Sequence, residues 1–411
     1  MLVFRPLGHP PIARLWSALS VATIGDELFR VALVWLAVEA IGPDAAYLAA
    51  VQNGVLLLAV AFGGRFTDFL PARQVMVGST AIRIGAVMLP VFSWWLTGSV
   101  SIWVLVASAA VTAALRGQFD PAVQSCLPLL ARSTEELVAL NGLIESVTRL
   151  ARLIGPGLVT PLALMLPIIH FMTVASCMLV GTLALLASLP ASLNVPRGGR
   201  ARAGRLMADM RFCMQHRQLR VLMLSYIAID IGWPIGLVPG LAVLLAEYPL
   251  VWPAITPVGA FGALIALYGV TNILGSVIGA SRRNMPSLAE IYIGTAAHAA
   301  MHFIFAAAIL LAPATWLLPL LASGALMGGV GPPLHALRVT LLVQTAAPLS
   351  AIGGVHRVRM VITFGALLFG TLVAPLLYRY LGVGGTILLA GIGIAASSAI
   401  AWITLKKWGE A

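Results

Sequence analysis

Apolar residues run along this chain in blocks of about twenty, broken by short polar or proline–glycine interruptions. A helix that crosses a bilayer needs about 20 mostly apolar residues, since ~30 Å of hydrocarbon must be covered at ~1.5 Å per residue. That rule predicts twelve spans, at 15–40, 46–67, 73–97, 100–126, 137–163, 166–189, 219–246, 258–280, 288–311, 314–341, 349–378 and 383–405. Only the connection at 190–218 is long, and it separates six spans from six. The expected fold class is an all-α membrane protein whose twelve transmembrane helices form two pseudo-symmetric halves. Residues 1–189 make the N-terminal half, 190–218 an Arg-rich cytoplasmic linker and 219–411 the C-terminal half.

Composition sharpens this picture. Of 411 residues 60% are hydrophobic and only 9% charged, against about a quarter in an ordinary soluble domain. So few charges cannot clothe a soluble surface, which excludes a disordered chain and a water-facing enzyme. The net charge is +11; in a membrane protein such an excess records orientation before it suggests nucleic acid, and no nucleic-acid partner is expected. The connections after even-numbered spans and the two ends carry Arg5, Arg14, Arg65, Arg73, Arg132, Arg197, Arg200, Arg202, Arg205, Arg211, Arg217, Arg220, Arg282, Arg283, Lys406 and Lys407, while the other connections carry Arg379. Both termini and the linker are therefore expected on the cytoplasmic side. The linker reads first as an anchor against anionic headgroups, with a regulatory or partner site as the alternative. Cys126, Cys177 and Cys213 have no paired or metal-binding spacing and read as packing residues. The first apolar segment is too long and too charged for the core of a cleavable signal.

The halves repeat. Gly64-x3-Asp68 after span 2 recurs as Gly275-x3-Gly279 after span 8, an offset of 211 that also lays Asp120-Pro121 on Gly331-Pro332 and Glu145 on His356. A parallel six-plus-six repeat is the plan of a transporter that rocks one half against the other.

Gly63-Gly64-Arg65-Phe66-Thr67-Asp68, continuing to Arg73, resembles the loop 2–3 signature of the major facilitator superfamily. The resemblance implies close packing of helices 2 and 11 at Gly64 and an Asp68 carboxylate facing the positive end of helix 11. Phe69 stands where that family usually has arginine, so the charge relay is incomplete; the second copy, Gly275 to Gly279, lacks the aspartate. Arg152-Leu-Ile-Gly155-Pro156-Gly157 in span 5 is similar to the glycine–proline motif of proton-coupled exporters, and a Gly-Pro pair permits a helix bend. Leu15-Trp16 to Phe29, Leu127 to Leu130 with Arg152 and Gly155-Pro156, and Arg338 to Thr345 look like the branch holding the enterobactin exporter and macrolide-efflux proteins. That resemblance implies efflux driven by proton exchange.

Ionisable groups inside spans are expensive, about 2.5–3.5 kcal/mol each on insertion scales, and so are functional candidates. Asp26 lies about 18 Å along span 1, with Arg30 four residues on and expected to pair with it, while Glu27 points toward a different neighbour. Asp26 is the first candidate proton carrier, Asp230 lies at the matching depth of span 7, and Glu145 shares one face of span 5 with Arg149 and Arg152. Arg30, Arg149, Glu27 and His335 are candidate substrate contacts. Gating is expected from Gly64, Asp68, Arg73, Arg116, Asp120, Arg152, Gly155, Pro156, Gly275 and Gly279, with Arg116 and Asp120 paired at i, i+4. Arg83 is expected to meet a carboxylate of a neighbouring helix, and Arg338, Arg357 and Arg359 to snorkel at span ends. His298 and His302 have two-ligand spacing on one face, yet no third ligand is near in sequence, so packing is the expected role. Gly331-Pro332-Pro333 before His335 is expected to break the backbone ladder.

No Ser–His–Asp set, phosphate-binding lysine loop or H-E-x-x-H pattern is present, so no catalytic residue, cofactor or metal is expected and ATP drive is excluded. The resulting expectation is a monomeric, proton-coupled exporter of a small anionic, siderophore-like or amphipathic molecule, working by alternating access in a bacterial inner membrane. A proton-symport importer of a ferri-siderophore or other anionic metabolite is the alternative, and a lipid flippase a further one.

Overall fold

The computed structural model describes residues 6–62, 70–193, 206–248, 250–252, 255–280, 287–346 and 352–408. Helices α1 (Pro10–Ile41), α2 (Ala46–Phe62), α3 (Ala72–Thr97), α4 (Ile102–Leu130), α5 (Thr134–Met165) and α6 (Ile169–Ala187) come first. A short amphipathic helix, α7 (Leu206–Gln215), leads into α8 (Arg217–Gly236), α9 (Pro239–Glu247), α10 (Pro257–Ala280) and α11 (Leu288–Leu310). The chain ends with α12 (Ala314–Gly328), α13 (Gly331–Ala346) and α14 (Ile352–Lys407), the last interrupted at Gly382 with φ 68°. A left-handed residue there costs glycine little, which is how two antiparallel rods join without a loop.

Among the described residues, eight helical stretches are long and apolar enough to cross a membrane. Helices α1 and α5 are not among them, because they carry Asp26, Glu27 and Arg30, and Glu145, Arg149 and Arg152. The expense of charge in hydrocarbon thus falls on two helices in particular.

The chain forms two compact units: Met1–Ala40 with Leu58–Ala203, and Ile41–Leu57 with Gly204–Ala411. In the first, a core of Ile12, Leu15, Leu19, Met76, Phe119, Leu127, Leu143, Val147 and Leu186 joins α1, α3, α4, α5 and α6. At one end of this unit Arg14 donates to Ser188 O at 2.9 Å and Arg73 to Ala187 O. The two guanidiniums satisfy carbonyls that the C-terminus of α6 leaves open and oppose its negative dipole end. Arg73, a gating candidate by sequence, therefore caps a helix.

The second unit is built from interrupted helices. Expected span 7 breaks between α8 and α9, and expected span 10 breaks at Gly329–Val330, just before the Gly331-Pro332-Pro333 run. Each break frees carbonyls that water cannot reach in a bilayer, so protein donors must meet them. Tyr378 Oη donates to Ile235 O at 2.9 Å at the first break. His298 Nδ1 lies 3.0 Å from Gly328 O and Asn272 Nδ2 donates to Gly329 O at 3.3 Å at the second. Gly275 of α10 leaves space for this turn, since a Cβ there would strike the Val330 carbonyl. α11 begins with a capping box, Ser287 accepting from Glu290 N at 3.2 Å while Glu290 accepts from Ser287 N at 2.8 Å.

Candidate functional site

The first unit concentrates ionisable side chains where α1, α3, α4 and α5 meet. Asp26 does not pair with Arg30 as the i, i+4 spacing suggests. Its Oδ1 accepts from Arg83 Nη2 of α3, and its Oδ2 lies 3.6 Å from Arg116 Nη1 of α4. Arg30 instead pairs with Glu27 at i, i+3. The reason is steric access: Arg83 comes from a facing helix with its side chain 4% exposed, and it fills the space beside Asp26 while resting on the Phe119 ring. Arg116 also lies 3.8 Å from Asp120, the pairing expected within α4.

Gly155 is buried in α5, where a Cβ would collide with the Cβ of Glu27. The Gly155-Pro156 pair, expected as a bend, sits inside an uninterrupted helix, and Gly155 is what lets α5 reach the Glu27–Arg30 pair. Arg30 feels the charges of both Arg116 and Arg152. The cluster therefore holds Arg30, Arg83, Arg116 and Arg152 against Asp26, Glu27 and Asp120. The acids Asp26 and Glu27 are buried by their partners, with side chains 14% and 6% exposed, whereas Arg30 and Arg116 keep 39% and 41% exposure. What the cluster presents outward is Arg30 and Arg116 together with Asp120, whose side chain is 65% exposed. Arg149 is half-buried on the same helix; the side chain of Glu145, and Gly64 and Asp68, lie outside the described residues, as do the surroundings of Gly279.

The second unit has a smaller polar centre. Asp230 of α8 accepts from Thr363 Oγ1 of α14 at 2.8 Å, and it lies within electrostatic reach of Arg359. Arg359, expected to snorkel at a span end, lines the cavity beside this carboxylate and donates to Thr340 Oγ1 at 3.2 Å. His335 of α13 is buried, stacked on Tyr226 with ring centroids 4.4 Å apart, and its Nε2 lies 3.1 Å from Leu222 O. Asp230, His335, Tyr226, Arg359 and Thr363 all line one cavity of about 10 Å³.

His298 and His302 are both buried, and their ring nitrogens face the backbone carbonyls of Gly328, His298 and Gly232. Among the described residues no group of three His, Cys, Asp or Glu side chains is placed to hold a metal ion. Thr363, Arg359 and Tyr226 were not singled out from sequence as site residues. The signal available for them was weak, since a threonine or tyrosine in an apolar helix is ordinary and Arg359 is near a span end.

No family model matches the chain. Multidrug efflux pump Tap of Mycobacterium tuberculosis and of Mycobacterium bovis is 30% identical to it over 159 residues, 38% of this chain. The match spans 38% of the length of those relatives. Among solved structures, a POT family transporter in complex with 5-aminolevulinic acid superposes with a TM-score of 0.77 at 12% identity, covering 96% of each chain. The nucleoside transporter NupG superposes at 0.73 and 10% identity, covering 97% of this chain and 99% of that one. The fold is therefore that of these multi-pass transporters. The proteins the chain resembles are transport proteins, spread across peptide, nucleoside and drug transport.

Proposed function

We propose that the chain is a secondary active transporter, not an enzyme, that exports a small anionic or amphipathic molecule in exchange for protons. In this reading it works by alternating access as a monomer, with twelve spans in two halves and both termini cytoplasmic in a bacterial inner membrane. The observation that carries the substrate class is the outward face of the first unit. Arg30 and Arg116 stay open while Asp26 and Glu27 beside them are buried, so two open guanidiniums stand against one open carboxylate, Asp120. Two guanidiniums so presented suit a carboxylate, phosphate or catecholate group, because each offers a planar fork of donors. A siderophore-like anion is one member of that class.

Export is favoured by the local likeness to an efflux pump. Proton coupling is favoured by the fold shared with proton dependent oligopeptide transporters, at a TM-score of 0.68, and by the buried carboxylates Asp26 and Asp230, with Glu145 the third candidate. Arg149 and His335 remain candidate substrate contacts, and Gly64, Asp68, Arg73, Arg152, Gly155, Pro156, Gly275 and Gly279 candidate gate elements.

The test is uptake of an anionic siderophore or polycarboxylate into sealed inside-out vesicles under an imposed pH gradient, with Asp26→Asn as control. Accumulation only with an acidic lumen supports exchange-driven export. Accumulation driven by an acidic exterior sinks it and leaves the importer.

A further inference from the structure

We propose that the second unit contains a one-proton binding site in which Asp230 and His335 are bridged by a single trapped water. It deepens the proton-coupling reading above, on which it rests for its role in transport, but not for its existence.

Three observations converge on it. Asp230 is 8% exposed and His335 2%, and both line the same cavity of about 10 Å³, room for one water. His335 Nε2 faces Leu222 O at 3.1 Å. A carbonyl only accepts, so that nitrogen carries the ring hydrogen and the neutral imidazole presents Nδ1 as an acceptor. Nδ1 is buried with no hydrogen-bond partner among the described residues. A buried acceptor of this kind needs a donor. The carboxylate of Asp230, already holding the Thr363 hydroxyl at 2.8 Å, has none to give when ionised. A water resolves both needs: one O–H goes to Asp230, the other to Nδ1, and its oxygen accepts from Arg359.

The charge balance then sets where a proton goes. Arg359 lies near both Asp230 and His335; a proton on the imidazole leaves three charges buried together, whereas a proton on Asp230 leaves Arg359 alone charged, which costs less desolvation. An incoming proton bonds to a carboxylate oxygen of Asp230; the acid then donates to the water, the water gives up its own O–H bond to Asp230, and its remaining bond to Nδ1 becomes the one that orients it. Around this centre, α14 contributes Arg359, with His356 close to it; α13 contributes His335 and, farther along, Arg338 near Tyr292 of α11. Asp209 of α7 lies against Gly354, and Glu247 of α9 near Tyr378. None of these last four is a lining residue.

The experiment is an infrared titration of the purified, lipid-reconstituted full chain, following the carbonyl band of protonated carboxyls. Asp230→Asn is expected to remove one titrating band. His335→Phe keeps the stacking on Tyr226 but removes the acceptor, and is expected to weaken proton binding at Asp230 at least fivefold. His335→Gln, which restores an acceptor and a donor to Leu222 O, is expected to return it to within twofold. Should the phenylalanine variant fail to fold, His335→Leu, which also lacks the acceptor, takes its place with the same fivefold expectation; a shift beyond fivefold in the glutamine variant overturns the proposal. So does an Asp230→Asn protein that keeps every band, or a band indifferent to both His335 variants. If the band behaves as stated and no pH gradient moves substrate, the coupling reading fails and this site stands.

Discussion

Asp26 on α1 takes its hydrogen bond from Arg83 on α3, a residue 57 positions away, and not from Arg30 one turn along its own helix. That choice ties two helices together and leaves Arg30 to Glu27. Removing the arginine strands a buried carboxylate beside Arg116 alone.

Arg83→Gln is accordingly expected to cost about 3 kcal/mol of stability, in the range for breaking one side of a buried pair. Asp26→Asn combined with Arg83→Gln should recover a good part of it. Denaturant unfolding of the three variants in one detergent checks this; single and double variants that lose equal amounts would refute the pairing.

Arg30→Gln and Arg116→Gln should each weaken anionic substrates about 10- to 100-fold, the equivalent of one lost charged hydrogen bond of ~1.5–3 kcal/mol. Cationic dyes should be unaffected or bind better. Competition binding on purified protein measures both, and equal losses for anions and cations would point to a structural defect instead.

Gly155→Ala places a methyl against the Glu27 side chain. Overpacking of this kind costs ~1–3 kcal/mol. We expect lower thermal stability, which Glu27→Ala does not restore, since alanine keeps the colliding Cβ, and which Glu27→Gly restores in part. A Gly155→Ala protein with wild-type melting would show that α5 and α1 approach less closely.

Cys213 lies on α7, in the linker outside the membrane-spanning helices. Burial, with Asp209 adding to it, pushes its thiol up from 9.0 to about 11. The reactive thiolate is therefore scarce at neutral pH. Maleimide labelling of Cys213 should be negligible near pH 7 and rise only as pH approaches about 11. An unfolded thiol ionises near 9 and the folded one near 11, so any contribution to stability is intact below pH 9 and is lost between the two. Fast labelling at pH 7 would mean that α7 does not stay docked.

Arg14→Ala and Arg73→Ala each remove a donor to the end of α6, and each is expected to cost ~0.5–1.5 kcal/mol. Their effects should be less than additive, since they serve neighbouring carbonyls. Melting temperatures of the single and double variants decide it.

Several candidate site residues are legible in the chain itself. Asp26, Glu27, Arg30, Asp230 and His335 stand out because charge and imidazole inside apolar blocks need a reason. The Gly331-Pro332-Pro333 break was legible because proline lacks the donor a helix requires. The partners were not legible. Thr363 reaches Asp230 across 133 residues, and nothing in the local pattern distinguishes it from other threonines on α14. His298 and His302 are readable as a spaced pair, but the facing of His298 to Gly328 O at a helix break, and of His302 to Gly232 O, depends on which turn of another helix lies opposite.

Alone, the sequence settles where apolar blocks lie, which helices must carry charge, and where the backbone has to break, because these follow from the cost of polar groups in hydrocarbon and from the chemistry of glycine and proline. Tertiary structure decides which charges neutralise one another. Rotation and depth of each helix against its neighbours set those distances, and a shift of one residue turns a side chain by about 100°. That is why Arg83 takes Asp26, Arg30 is left facing outward, and Asp230 shares its cavity with His335.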